Sequence, residues 1–88
     1  DKAFLGVNGV DRSFGYSVPA HSDAALKILM MESSKQTIVL ADHTKFAKSY
    51  LCRVASLDDV DCLVTDSMTP EMEEGLSGVN YMVADGKR

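Results

Sequence analysis

Three short, largely apolar runs at residues 3–7, 37–41 and 62–65 limit what this chain can fold into. Runs of this kind that end in turn-forming residues are typical of strands buried in a sheet. The run at 37–41 is rich in β-branched residues, as expected for a central parallel strand buried on both faces. Because a helical pattern separates the first two runs, the sequence predicts an α/β fold on a parallel sheet with right-handed crossovers.

The segment between the first two strands predicts one helix that ends near residues 33–34. Ser22 is a suitable N-cap, since its hydroxyl oxygen can accept an amide hydrogen of the first turn. The predicted apolar face is formed by Ala25, Leu26, Leu29 and Met30, and is widened by Ile28 and Met31.

The remaining segments are shorter. Residues 11–20 are predicted to be a loop, 50–54 a weaker strand and 56–60 a single helical turn. Thr69 is expected to cap a last helix that has Pro70 at its first position and stops at Gly75 and Gly78. A final strand at 79–84 and a solvated tail at 85–88 complete the prediction.

Length and charge exclude several classes of protein. The 88 residues allow one domain at most, and 9 Lys and Arg against 13 Asp and Glu give a formal net charge of −4. The chain therefore lacks the clustered cations that give affinity for a nucleic-acid backbone. No apolar run approaches the roughly 18 residues that cross a bilayer, and the first residues do not follow a signal-peptide pattern. We expect a cytoplasmic location and no membrane partner.

The cysteines and histidines do not indicate a metal or redox centre. Cys52 and Cys62 are too few for a disulfide framework and are not spaced as a Cys-x-x-Cys pair, so we expect two reduced, partly buried thiols. His21 and His43 are isolated, so the sequence predicts no metal site and no cofactor.

Polar residues follow each of the three main strands, at Asn8-Gly9, at 42–45 and at Asp66-Ser67. Ligands of open parallel sheets bind beyond the carboxyl ends of the strands, so these clusters are the candidate site. Lys45 could bind phosphate or hydroxyl oxygens, and Asp42 could orient that ammonium or accept sugar hydroxyls. The simpler alternatives are an Asp42–Lys45 surface ion pair, an ordinary turn at Asn8-Gly9 and a local cap by Asp66.

Three segments, DKAFLGVNGVD at 1–11, LADHTKF at 40–46 and LDDVDCLVTD at 57–66, together resemble one family. In order and separation they are similar to the C-terminal sensor domain of DeoR-type bacterial transcriptional regulators. The resemblance implies a Rossmann-like half-domain similar to ribose-5-phosphate isomerase and CoA transferases. It implies a phosphorylated sugar as effector, whose arrival changes the affinity of the regulator for operator DNA. Lys45 would contact this ligand, and Asn8, Gly9 and Asp42 would line the pocket.

Two departures from the family shape the remaining expectations. The helix-turn-helix module and the Gly-Thr-Thr loop of the first half of the sensor domain do not occur in the sequence, so we expect residues 1–88 to be the second half of that domain. Operator DNA would then be bound through the absent N-terminal module. The related isomerases carry two carboxylates where this chain has Asn8 and Gly9, and an amide cannot act as a general base, so we expect binding without catalysis.

Two alternatives remain open at this point. One is an isomerase-like or CoA-transferase-like enzyme fragment. The other is a module that mainly assembles subunits, because sheet edges left without a neighbour favour pairing between copies. For the regulator as for these alternatives, we expect a homo-oligomer.

Overall fold

A computed structural model describes residues 1–76 and 78–84. Within these residues, seven strands and two helices follow one another, with 3₁₀ turns at His43–Lys45 and Leu57–Asp59. In order they are β1 (Lys2–Gly6), β2 (Gly9–Asp11), β3 (Gly15–Val18), α1 (His21–Glu32), β4 (Gln36–Leu40), β5 (Cys52–Ala55), β6 (Cys62–Thr65), α2 (Pro70–Gly75) and β7 (Tyr81–Val83). The predicted tail at 85–88 lies outside the described residues.

The predicted parallel sheet is present and has four strands in the order β1-β4-β6-β7. All three pairings are parallel, with Gly6 opposite Leu40, Leu40 opposite Val64 and Val64 opposite Met82. The α/β class predicted from the apolar runs is therefore confirmed. Its consequence for function is that the carboxyl ends of β4 and β6 lie side by side.

A second, antiparallel sheet of order β2-β3-β5 corrects the prediction of a loop at 11–20. The Asp11 carboxylate accepts the Ser13 and Phe14 amide hydrogens at 3.1 and 2.8 Å and so closes a tight turn. Gly15 follows with φ +94°, a conformation that side chains with a Cβ rarely adopt. The turn reverses the chain into β3, whose four residues are all buried. The weaker strand predicted at 50–54 forms β5 in this sheet.

Helix α1 ends as predicted, but its cap and its core-facing side differ from the prediction. The N-cap residue is Ala20, which makes no side-chain cap, so Ser22 lies inside the helix. Ala24 is buried, and Ile28 and Met31 pack against the core, whereas Leu26 and Leu29 are 56% and 58% exposed. Two apolar stripes run along this helix, and the stripe at 24, 28 and 31 faces the core.

The core fills one side of the parallel sheet, so the expectation that 37–41 is buried on both faces is wrong. Alternate residues of β4 divide between the two sides: Thr37 and Val39 are buried, and Leu40 is 43% exposed. The outward side, which we call the open face, is defined by Phe4, Ile38, Leu40, Val64 and Met82. Side chains alternate along a strand, and the described residues leave this face uncovered.

Several local predictions are confirmed. Thr69 accepts the Met72 amide hydrogen at 3.2 Å and Pro70 opens α2. The helical turn at Leu57–Asp59 carries a capping box between Ser56 and Asp59. Cys52 is buried and Cys62 half-buried, as predicted for these two side chains.

Candidate functional site

The candidate site lies where β4 and β6 end. The Ala41 amide donates to the Val64 carbonyl at 3.0 Å, so the two strands remain paired up to their last residues. Asp42 and Asp66 follow directly and lie next to each other across the sheet edge. They border a shallow open depression of about 230 Å³, whose lining is Leu40, Ala41, Asp42, Val64, Thr65, Asp66 and Ala84.

Asp42 forms the turn that carries Lys45. Its Oδ1 accepts the Thr44 amide hydrogen at 2.8 Å and also the Thr44 hydroxyl, and its carbonyl accepts the Lys45 amide hydrogen at 3.1 Å. Aspartate is favoured at such a position because its short carboxylate reaches the amide two residues on. The Thr44 hydroxyl and amide, with a smaller contribution from the Lys45 charge, hold the pKa of Asp42 below its usual value.

Asp66 binds the same turn from the neighbouring strand. Its Oδ1 accepts the His43 amide hydrogen at 2.8 Å, and its Oδ2 lies 2.9 Å from His43 Nδ1. The His43 ring and amide hold the pKa of Asp66 below its usual value. The simpler expectation of a local cap therefore does not describe Asp66, whose short contacts are with a residue 23 positions earlier.

Lys45 is half-buried and its ammonium has no ion-pair partner among residues 1–76 and 78–84. The ion pair that the sequence allowed between Asp42 and Lys45 is not formed, and the side-chain hydrogen bonds of Asp42 are with Thr44. The ion pairs in the described chain are Lys27–Asp23, at 2.8 Å within α1, and His43–Asp66. Lys45 therefore carries a charge without an ion-pair partner in the described chain, near enough to Asp42 to lower the pKa of that carboxyl, but it does not line the depression that Asp42 and Asp66 border.

Asn8 and Gly9 follow the end of β1, the strand beside β4, and their closest contacts are with other segments. The half-buried Asn8 donates its backbone amide to the Ser17 carbonyl at 3.1 Å. Gly9 is buried, and a Cβ placed on it would lie 2.5 Å from the Lys48 carbonyl oxygen. Gly9 therefore packs against the 48–50 segment in the described structure, whereas Asn8 lies nearer the surface.

The segment after Lys45 joins the two sheets. Phe46 forms an isolated parallel bridge with Val10, and the Ala47 amide donates to the Val10 carbonyl at 2.8 Å. Ala47 adopts φ +60°, in the left-handed region that costs a non-glycine residue roughly 1–2 kcal/mol. Phe46 and Ala47 also line a separate cavity of about 160 Å³ with Arg12, Leu57 and α2, and none of the four predicted ligand-binding residues lines that cavity.

The free polar groups of the site can form hydrogen bonds with a small polar ligand. Asp42 Oδ2 accepts no hydrogen bond in the described part of the chain, and Lys45 offers up to three donors. Both Asp66 oxygens are already engaged by His43. No group of three or more His, Cys, Asp or Glu residues that could hold a metal ion occurs among the described residues. Nor does that part of the chain contain a helix of the length and apolarity that crossing a membrane requires.

Sequence reasoning placed Asp42, Lys45 and Asp66 at the ends of neighbouring strands, and the sheet brings those ends together. It missed the bond between His43 and Asp66. The signal was available in the chain, because each residue lies within three positions of a parallel strand end. Pairing between them, however, depends on the register of β4 against β6, which sequence alone does not give.

Comparison with known proteins adds a family to this geometry. Residues 1–67 match the family described as the DeoR C terminal sensor domain. The chain is 30% identical over 87 residues to the HTH-type transcriptional regulator GlpR of Haloferax volcanii, covering 98% of this chain and 34% of the relative.

Two further relatives are similar. The chain is 35% identical over 68 residues to the HTH-type transcriptional repressor GlcR of Bacillus subtilis, covering 77% of this chain and 26% of the relative. It is 32% identical over 82 residues to the glycerol-3-phosphate regulon repressor of Haemophilus influenzae, covering 93% of this chain and 30% of the relative. The chain thus spans between a quarter and about a third of the length of these relatives.

Proposed function

The chain belongs to the family of DeoR C-terminal sensor domains, and from that premise we propose that it is the effector-sensing part of a transcriptional regulator. The effector is a phosphorylated sugar, and its binding changes the affinity of the regulator for operator DNA. We further propose that residues 1–88 are the second half of the sensor domain of a longer protein. The share of its relatives that the chain spans supports this proposal.

The names of the relatives support the class of function. GlcR is named a transcriptional repressor, and the Haemophilus influenzae relative is named for the glycerol-3-phosphate regulon. The chain has more acidic than basic residues, 13 against 9. A sensor whose DNA-binding cations lie in another part of the protein would have such a balance.

The unpaired ammonium of Lys45 at the strand ends is the observation that carries the proposed ligand class. In this proposal Lys45 binds a phosphate or sugar oxygen, and Asp42 accepts a sugar hydroxyl at its free Oδ2. In the same proposal, the side-chain amide of Asn8 and the backbone at Gly9 line the adjoining part of the pocket. A lysine ammonium is well suited to phosphate oxygens because it is a compact charge with three donors.

Charge indicates that Lys45 does not hold a phosphate alone. Asp42 places a negative charge near the Lys45 ammonium, Asp66 adds a second negative charge at the same sheet edge, and His43 is committed to Asp66. We therefore propose that this edge recognises the hydroxyls and one anionic oxygen. The remaining phosphate oxygens would be bound by groups outside residues 1–88, so the isolated chain would bind its effector weakly.

Replacing Lys45 with alanine tests the proposal. In the complete regulator, Lys45→Ala should weaken effector binding about tenfold, as expected for the loss of a charge-assisted hydrogen bond of about 1.5 kcal/mol. The measurements are thermal shift against a panel of phosphorylated sugars and release of operator DNA by the sugar that shifts the wild type.

Lys35→Ala is the matched control. Lys35 is exposed and immediately precedes β4, so it lies at the opposite end of the strand that leads to Asp42. It should change neither effector binding nor release. If Lys45→Ala releases operator at the wild-type effector concentration, the proposed ligand site is wrong.

We propose binding without turnover. Asp11 is the carboxylate nearest to the Asn8-Gly9 turn along the chain, and it accepts hydrogen bonds from the Ser13 amide and hydroxyl and the Phe14 amide on one oxygen. These bonds hold its pKa below the usual value, which makes it a weak base. The relatives are transcriptional regulators, so the isomerase-like and CoA-transferase-like alternative is not favoured.

A cytoplasmic location and a homo-oligomeric state are parts of the same proposal. A regulator of operator DNA works where the DNA is, and the free thiols of Cys52 and Cys62 suit a reducing compartment. Strands β1 and β7 are the edges of the parallel sheet. Edge strands carry unpaired backbone groups that can join another chain, which supports assembly between copies.

A further inference from the structure

The His43–Asp66 contact links the ends of two strands at the proposed ligand site. One carboxylate binds one residue twice, at the His43 amide (2.8 Å) and at Nδ1 (2.9 Å). The third contact of Asp66 Oδ1, from the Thr65 hydroxyl, is long at 3.5 Å. Both oxygens of Asp66 therefore bind the turn.

This contact fixes a turn that has few other attachments. Within the turn, Asp42 bonds to Thr44, which shapes the turn without tying it to a neighbouring element. Beyond it, the Ala47 amide is held by the Val10 carbonyl. Between these points, Asp66 supplies the side-chain hydrogen bonds that reach the turn from another strand in the described chain. Lys45 lies between His43 and the Phe46–Ala47 segment that is bonded to Val10, so the attachment of His43 to Asp66 fixes one of the two sides from which the Lys45 backbone is held.

We infer that Asp66 is a positioning residue for Lys45, acting through His43; the inference rests on the proposed function of this edge. Asp66 holds the 3₁₀ turn against the end of β6, and the turn holds the lysine where the ligand oxygen lies. Asp42, whose Oδ2 is free, contacts the ligand, whereas Asp66 does not. The two strand-end aspartates thus have different tasks.

A double-mutant cycle separates positioning from a general effect on folding. Glycerol 3-phosphate and inorganic phosphate serve as probes, and their binding to the complete protein is measured by titration calorimetry. We expect Asp66→Asn to weaken binding about fivefold when Lys45 is present and less than twofold in the Lys45→Ala background. Residues that act through one another give such non-additive effects.

Asp61→Asn is the matched control. Asp61 also bonds through its carboxylate to a backbone amide of β4, that of Thr37 at 2.7 Å, but at the opposite end of the strand. Its replacement should lower stability and change probe affinity less than twofold in both backgrounds. If Asp66→Asn does not fold, His43→Gln replaces it in the cycle, because it removes the ring contact and keeps the backbone amide.

The outcomes distinguish the inference from its premise. If neither probe nor any phosphorylated sugar of the panel binds the wild type, or if Lys45→Ala leaves binding unchanged, the proposed function fails and the inference falls with it. If Lys45→Ala weakens binding while Asp66→Asn has no effect, or has the same effect in both backgrounds, the inference alone is wrong. Loss of binding by Asp61→Asn equal to that of Asp66→Asn would also refute it, since general destabilisation would then explain both.

Discussion

Replacing Gly9 with alanine should destabilise the protein by about 2–4 kcal/mol, which tests whether Gly9 is kept for packing or for the ligand. A Cβ at this position would lie 2.5 Å from the Lys48 carbonyl oxygen, 2.7 Å from Ser17 Oγ and 3.0 Å from Tyr50 Cδ2. Contacts this short cannot persist, so at least one neighbour must move.

The magnitude follows from which neighbours can move. Ser17 is 0% exposed and has no free space, and the Lys48 carbonyl is backbone, so it moves only if the chain around it shifts. Forcing an extra carbon into a packed site costs about 1–3 kcal/mol. Ser17 Oγ also accepts the Tyr50 amide hydrogen at 2.9 Å. Displacing it would remove a hydrogen bond worth about 0.5–1.5 kcal/mol.

The assay is urea unfolding of the complete protein followed by circular dichroism, with Gly6→Ala as control. Gly6 ends β1, and a Cβ there meets nothing within 4 Å. Neither glycine has a positive φ, so neither substitution strains the backbone. Both reduce the conformational freedom of the unfolded chain equally, and they differ in the space available for the added Cβ. Gly6→Ala should be neutral or raise stability by up to about 1 kcal/mol.

Equal unfolding free energies for the two variants would refute the packing argument. A further result separates the two roles of Gly9. If folded Gly9→Ala protein binds the effector as the wild type does, the glycine is required by the Lys48 carbonyl and not by the ligand.

Two further predictions concern pH and turnover. The pKa values of Asp42 and Asp66 are lower in the folded protein than the ordinary aspartate pKa of about 3.9. Each carboxylate therefore stabilises the folded state at pH values above about 3.9, and this stabilisation is lost as the pH falls through the lowered pKa. Between pH 5 and 3 the urea midpoint should therefore fall less for Asp66→Asn than for the wild type; equal falls would contradict the assignment. Ribose 5-phosphate incubated with the complete protein should be recovered unchanged, and isomerisation abolished by Asp11→Asn would overturn the non-catalytic proposal.

The parallel sheet was predictable because its strands are short apolar runs with polar residues at their ends. The hairpin of β2 and β3 was not, because its signal is dispersed. Asp11 must accept two amide hydrogens and Gly15 must adopt a positive φ before the polar stretch between them becomes a turn. Strand β3 was also missed because Ser17, which is 0% exposed, is a residue type that does not indicate a core position.

The side of α1 that faces the core could not be predicted from the residues of the helix alone. The helix carries two apolar stripes, and the packing of β3 and β5 beneath it selects Ala24 and Ile28 over Leu26 and Leu29. The burial of β4 was overestimated for a related reason. A continuous apolar run is equally compatible with one or two covered faces, and which faces are covered depends on elements elsewhere in the chain.

The separation of core and site along β4 has a consequence for how such a domain can diverge. Thr37, Val39 and Ala41 pack inward, and the residues that follow at 42–45 project beyond the strand without entering the core. Natural selection can therefore exchange the side chains at this edge, and with them the chemistry that is recognised, while the interior stays as it is. A few substitutions in this one turn could therefore change the ligand that is recognised while the core residues of β4 are kept.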